Sequence, residues 1–227
     1  MRRGLRAVAV VLAVCAAAST ASRAEAQEPT TPRVEVSGGA RWNGHLRFPE
    51  VAANETTPGG GARPLFVTAT QVDASVGASG TVGVRVTRAL RADLTVAFNP
   101  THLTTRVTAD REGISDTTAR EPVTQFLIEG GVVMQPRGWQ RPWLSPFVSA
   151  GGAWLRQLND GRTLVQNGQS AYLGTGVYYV EPFRNPGRIK ASGIRLDVRL
   201  QGFRGGVALD QRVHLAPVVA ASVFTWF

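Results

Sequence analysis

The chain has 227 residues, a formal net charge of +9 and one cysteine, Cys15. That length suits one domain, or at most two small ones. Cys15 falls in an apolar N-terminal leader, so the remainder of the chain carries no thiol nucleophile, thiol ligand or disulfide.

The leader covers residues 1–26. Arg2, Arg3 and Arg6 make a basic start, Ala7 to Ala18 is an apolar run, and Ala24-Glu25-Ala26 is an A-x-A cleavage site before Gln27. This is the pattern of a cleaved secretory signal peptide, too short and wrongly flanked for a membrane-spanning helix. Leu12-Ala13-Val14-Cys15 is faintly similar to a lipoprotein box, but Val14 stands where a small residue is wanted. Cleavage removes four arginines (Arg2, Arg3, Arg6, Arg23) and one glutamate (Glu25), which takes the charge from +9 to +6. Lys190 is the sole lysine, so the basic charge is almost all arginine and reads as compositional bias. Nucleic acid is not expected as a partner of an exported chain.

Residues 27–227 form one domain whose signal is strand. Val34 to Trp42 sets Val34, Val36, Ala40 and Trp42 against Glu35, Ser37 and Arg41. Val72 to Thr87 alternates over sixteen residues: Val72, Ala74, Val76, Ala78, Val82, Val84 and Val86 oppose Asp73, Ser75, Ser79, Thr81, Arg85 and Thr87. Side chains of a strand point to opposite faces at period two, so each segment has one apolar and one polar face. Asp93 to Thr101 and Val123 to Met134 continue the pattern, the second opposing Phe126, Ile128 and Val132 to Gln125, Leu127 and Glu129. Trp143 to Arg156 and Ala171 to Val180 are strand-like with undecided faces. Ile194 to Gln201 alternates without error, and His214 to Phe227 completes eight strands.

The connections alternate between long and short. Asn43 to Gln71, Asp110 to Glu121 and Leu158 to Ser170 read as long polar loops, against a tight turn at Arg88-Ala89-Leu90 and a Pro136-to-Pro142 connection. Long loops at one end and short turns at the other, with both termini at the short end, describe an all-β, eight-stranded antiparallel transmembrane barrel behind a cleaved signal peptide. Three features favour lipid over a soluble core on the apolar faces. Charges of both signs sit mid-strand on the polar faces. The apolar faces are rich in Val, Ala and Gly, which would fill a soluble core poorly. Trp42, Trp139, Trp143, Trp154, Tyr178, Tyr179, Phe203 and Trp226 fall near segment ends, where interfacial girdles belong. Closure requires the last strand to pair with the first, which gives the aromatic ending a lipid-facing, ordered place.

The export signal, the stretch Pro146-Phe147-Val148-Ser149-Ala150-Gly151-Gly152-Ala153, the stretch Gly193 to Arg199 and the aromatic last strand together make the chain resemble a known family. It is similar to the small outer-membrane β-barrels of Gram-negative bacteria, which include OmpA-like barrel domains and opacity-type, porin-like proteins. The resemblance implies the outer membrane as location, its lipid and the barrel-assembly machinery as partners, and Phe227, with Val223 before it, as the assembly signal. It says nothing about activity.

Within the barrel, Glu35, Arg41, Arg85, Asp93, Glu129, Arg195, Asp197 and Arg199 face the interior by parity. Eight strands enclose only enough room for side chains, and unpaired ions there would be costly, so an ion-pair network that plugs the lumen is expected. No catalytic, metal or cofactor site is expected. His45, His102 and His214 lack metal-ligand spacing, Gly113 is misplaced for a calcium loop around Asp110 to Asp116, and Gly59-Gly60-Gly61 lacks the Lys-Ser/Thr of a phosphate loop. Lipid-modifying barrels use a His-x-Ser pair, and here His102 is followed by Thr104 and His214 by Ala216. The expectation is a monomeric, non-enzymatic envelope protein with a structural or surface-contact role toward an extracellular partner. Two alternatives stay open: a narrow porin-like channel for ions or small solutes, and a soluble periplasmic barrel for an apolar ligand.

Overall fold

A computed structural model describes residues 34–227 except 57–61, 109–114, 140, 142, 160–163, 184–187 and 208–211. The expected signal peptide, residues 1–26, lies outside the described residues. So do parts of the expected loops, including Gly59-Gly60-Gly61, Asp110 and Glu112.

Among the described residues eleven strands follow in chain order: β1 (Val34–Asn43), β2 (Leu46–Arg47), β3 (Val51–Thr56), β4 (Ala62–Val72), β5 (Ser75–Arg85), β6 (Leu90–Thr108), β7 (Thr117–Met134), β8 (Leu144–Asn159), β9 (Leu164–Pro182), β10 (Ala191–Gly205) and β11 (His214–Trp226). Eight of them close a ring in the order β1-β5-β6-β7-β8-β9-β10-β11, every pair antiparallel. The seam joins β11 to β1, with Glu35 opposite Trp226 and Trp42 opposite Val219. Closure removes the sheet edges that would otherwise expose unpaired backbone groups. The Phe227 and Val34 backbones extend the seam by two more hydrogen bonds, of 2.9 and 3.5 Å.

The barrel is turned inside out relative to a soluble one. Leu173 is 68% and Val223 65% exposed, while Glu35 and Glu129 are 1% exposed. Val76, Leu94, Val96, Ile128, Ile194, Leu196, Val198 and Leu200 add to the same exposed apolar belt. An apolar band around a closed sheet satisfies every backbone group internally and presents hydrocarbon to hydrocarbon, which is the requirement for crossing a bilayer with strands.

Asn43 to Gln71 departs from the expected open loop. The chain there forms β2 and the β3–β4 hairpin, and β4 pairs with the outer half of β6, Val72 opposite Leu103. On β5 the pairing with β6 resumes with Ala78 opposite Phe98, so this side has gained one residue over β6. The bulge sits at Asp73-Ala74, where the Asp73 N–H donates to the His102 carbonyl at 2.8 Å. A one-residue shift exchanges faces. Val72, expected in line with the outward Val76, is therefore buried inside the barrel.

Candidate functional site: the filled lumen

Inward-facing residues of the eight ring strands fill the barrel in three tiers. At the end that holds the termini, Phe147, Tyr178, Phe224 and Val133 are buried together, with Val180 and Trp226 packed on them. The Tyr178 ring meets Phe224 edge-on at 5.1 Å and lies 4.9 Å from Phe147. Such large rings fit because glycines face them. A Cβ at Gly176 would strike the Phe147 ring, and one at Gly193 would strike Phe224. The faces of β8 and β9, undecided from sequence, are thereby assigned: Ser145, Phe147 and Ser149, like Tyr172 and Tyr178, point inward.

The middle tier is ionic. Glu35 accepts from Arg91, from Trp226 Nε1 at 2.6 Å and from Tyr178 Oη at 3.3 Å. Arg91 grips Asp93 with two bonds, 2.6 and 2.9 Å. Arg195 crosses from β10 to Asp93 at 3.0 Å and reaches Asp197 at 3.1 Å. Arg199 holds Asp197 with bonds of 3.0 and 2.8 Å and donates to Glu129 at 2.8 Å. Arg41 donates to the other Glu129 oxygen at 2.6 Å and to Asn43 at 3.0 Å. Four carboxylates thus meet four guanidiniums in one connected set with no net charge. Matching is what makes such burial tolerable, because a lone buried ion costs several kcal/mol, on the order of the whole gain from a pair. Rings complete the solvation: Arg195 lies 4.9 Å from the Phe147 centroid and Arg199 4.5 Å from Tyr172.

The outer tier is apolar again. Leu46, Val72, Ala97, Val123, Leu127, Leu155, Phe203, Val207 and Ala216 are buried as one cluster, with Phe48 packed against it. Leu46 comes from β2, which folds over the mouth, and Val207 from the turn after β10. Gly205 and Gly206 both take positive φ in that turn, 78° and 75°, and this aims the Val207 N–H at Gln157 Oε1, 2.7 Å away. Within the ionic middle tier a cavity of about 20 Å³ remains, lined by Arg41, Arg195, Asp197, Arg199, Ser37 and Thr95 among others. That is room for a single water.

Seven of the eight residues expected in the lumen network come together: Glu35, Arg41, Asp93, Glu129, Arg195, Asp197 and Arg199. Arg85 does not join them. It is half-buried at the terminal rim, directly opposite Arg91, with its guanidinium 6.0 Å from the Trp226 ring centroid. The inner of these two arginines, Arg91, takes Glu35. Arg91 was missed because it follows a turn, although Arg91-x-Asp93 repeats the same-face spacing of Arg195-x-Asp197-x-Arg199. The expected aromatic girdle also needs correction. Trp42, Trp139, Trp143, Trp154 and Tyr179 are exposed, whereas Tyr178 and Phe203 are lumen residues and Trp226 is half-buried against Glu35. Parity decides this: Tyr178 lies one residue from the outward Tyr179. Val223 and Phe227 are both exposed on the outside of the seam strand.

No protein-family model matches the sequence, and no curated protein matches it. Among solved structures, the chain is similar to the outer membrane protein OprG from Pseudomonas aeruginosa, with 14% identity and a TM-score of 0.51 over 89% of this chain and 98% of that one. It is similar also to Neisserial surface protein A (NspA), with 12% identity and a TM-score of 0.50 over 86% of this chain and 97% of that one. The chain has the fold of the small Gram-negative outer-membrane β-barrels, and its apolar outer belt suits it to that membrane.

Proposed function

We propose that the protein is a closed, non-enzymatic outer-membrane barrel that acts by structural support and surface contact through its outer strands. The observation that carries this reading is the stacking of the lumen: a charge-balanced network lies between an aromatic tier and an aliphatic tier. An ion entering from either side would have to shed water against hydrocarbon before it met a charged partner. On this reading the termini face the periplasm. β4, β6 and β7 then rise beyond the apolar belt on the outside, carrying exposed Arg106 and Arg120, with exposed Asp116 just before β7.

The test is conductance of the refolded chain in a planar bilayer, after a heat-modifiable gel shift has established folding. Silence supports the closed barrel, and cleavage of the outer strands by protease on intact cells supports surface contact. Steady discrete openings would favour the second reading, a narrow channel. One observation speaks for that second reading: the side-chain polar atoms of Asn99, and Ser149 Oγ, are buried without a protein partner, as they would be along a thread of solvent.

A further inference from the structure

The net charge of the chain is not spread evenly over the barrel. Residues 27–227 carry +6, and the four carboxylates and four guanidiniums of the lumen cancel. The end that holds the termini accounts for all of the remainder. Arg85 and Arg88 belong to the β5–β6 turn, Arg137 and Arg141 lie between β7 and β8, and Arg184, Arg188 and Lys190 lie between β9 and β10. Counting by sequence every residue of these connections, Glu181 at the end of β9 is the one carboxylate with the seven cations, which leaves +6. Residues 27–33 bring Glu28 and Arg33, which cancel. The rest of residues 27–227, the whole loop side included, therefore sums to zero. This segregation holds whatever pairs form locally, because one carboxylate cannot neutralise seven cations.

The geometry of that end selects the partner. Its connections are short, residues 86–89, 135–143 and 183–190, so they stay level with the end of the barrel. The exposed apolar belt reaches them at Val84, Val86, Met134 and Tyr179. Trp139, Trp143 and Phe183 are exposed among the cations, where Arg141 and Arg188 are exposed and Lys190 half-buried. Backbone bonds hold the last two connections and the seam together: the Val180 N–H donates to the Trp143 carbonyl at 3.0 Å, and the Lys190 N–H to the Trp226 carbonyl at 2.8 Å. Indoles suit the headgroup level of a bilayer, and basic side chains lay their stems on apolar surface while the charged head reaches the phosphates. A guanidinium fork matches phosphate oxygens, and an ammonium adds a point charge for them. A wall polymer beyond the headgroups would meet this end only across that layer, so the lipid is the nearer anion. We propose that the terminal end is a binding surface for anionic phospholipid of the phosphatidylglycerol class, with Arg141, Arg188 and Lys190 on the phosphates. On the orientation proposed above, on which this assignment rests, the lipid belongs to the periplasmic leaflet.

The test places the full refolded chain in phosphatidylcholine nanodiscs holding about a tenth of phosphatidylglycerol, and native mass spectrometry identifies the lipids that stay bound. One cation at an anionic surface favours it about fivefold, so about a third or more of the retained lipid should be phosphatidylglycerol. In Arg141→Gln/Arg188→Gln/Lys190→Gln the share should fall back toward about a tenth, with the gel shift retained. Arg141→Lys/Arg188→Lys keeps the charge and should keep the enrichment, and high salt should weaken it in the parent chain without any substitution. No enrichment by the parent, equal enrichment by the neutral variant, or displacement by millimolar inorganic phosphate would each overturn the assignment. So would retention of the parent on isolated peptidoglycan without lipid enrichment, which would give this surface to the wall polymer. Cleavage of the β9–β10 connection by protease on intact cells would turn the barrel over and overturn the periplasmic leaflet, with the enrichment unchanged. Failure of the parent to insert into any disc, read by the gel shift, would remove the membrane placement and this surface with it.

Discussion

The indole N–H of Trp226 donates to Glu35 at 2.6 Å, and these two residues are also paired directly across the seam where the last strand meets the first. The same carboxylate receives Arg91, so the closing strand is tied by a side chain into the buried network as well as by its backbone. Trp226→Phe keeps an aromatic ring but removes the donor together with the pyrrole half of the indole, so the lost hydrogen bond is the least that the variant gives up. A hydrogen bond to a charged group contributes about 1.5–3 kcal/mol. Urea unfolding of the barrel in vesicles should show a loss of at least that size, with the gel shift retained. An unchanged midpoint would mean that Arg91 alone satisfies Glu35.

Glu129 serves two guanidiniums, one on each oxygen: Arg41 from β1 and Arg199 from β10. The two ends of such a contact are not equivalent. Glu129→Gln leaves two buried cations short of a partner, whereas Arg41→Gln leaves Glu129 still held by Arg199. Breaking a buried pair by removing one partner costs about 3–5 kcal/mol. The expected order in urea is therefore Glu129→Gln well below Arg41→Gln, and the double variant should cost less than the two single losses added together. Additive losses would show that the groups act independently.

The barrel was legible because its alternation is unusually complete. Ile194 to Gln201 and Asp93 to Thr101 each announce which residues are inside, and those residues are inside. Two kinds of residue escaped. Tyr178 and Phe203 are large and apolar, and composition alone sent them to the lipid face, but an eight-stranded lumen with facing glycines has room for rings. Val72 escaped for a different reason. A β-bulge changes parity by one, and Asp73-Ala74 carries no local mark that distinguishes it from any other step in a run of alternating residues. The β3–β4 hairpin was hidden by its polar, Pro- and Gly-containing composition, since β4 is specified by pairing with β6, and β3 by pairing with β4, more than by their own pattern.

That bulge has its own chemistry. Asp73 accepts from Thr104 Oγ1 at 2.9 Å, from Arg120 Nη2 at 2.9 Å and from Gln71 Nε2 at 3.1 Å, which ties β4, β6 and β7 together beyond the apolar belt. Partial burial pushes its carboxyl up, but the three donors and the Arg120 charge outweigh this and hold it below the ordinary value. A depressed carboxylate contributes stability that is complete above its unfolded value, about 3.9, and is lost as pH falls through the lower folded one. Amide exchange protection of Gln71 to His102 should accordingly hold steady from neutral pH down to about 4 and fall only below that. Asp73→Asn should remove the acid dependence. A protein that lost this protection already near pH 5 would contradict the arrangement.

Neutralising the lumen arginines separates the closed barrel from the channel. In a channel the charged groups of the middle tier line the path, and Arg195→Gln or Arg199→Gln should change the size or selectivity of existing openings. In the stacked lumen the arginines are not the barrier. Phe147, Tyr178 and Phe224 still close one side and Leu46, Leu127, Leu155 and Phe203 the other, whichever guanidinium is removed. The expected outcome is that both variants stay silent in a planar bilayer while losing stability, because Asp197 and either Asp93 or Glu129 are left with one partner fewer. Conduction should appear only when both hydrocarbon tiers are cut, as in Phe147→Ala combined with Leu127→Ala. Openings in Arg195→Gln alone, with both tiers intact, would place the barrier in the ion pairs and return the protein to the channel reading.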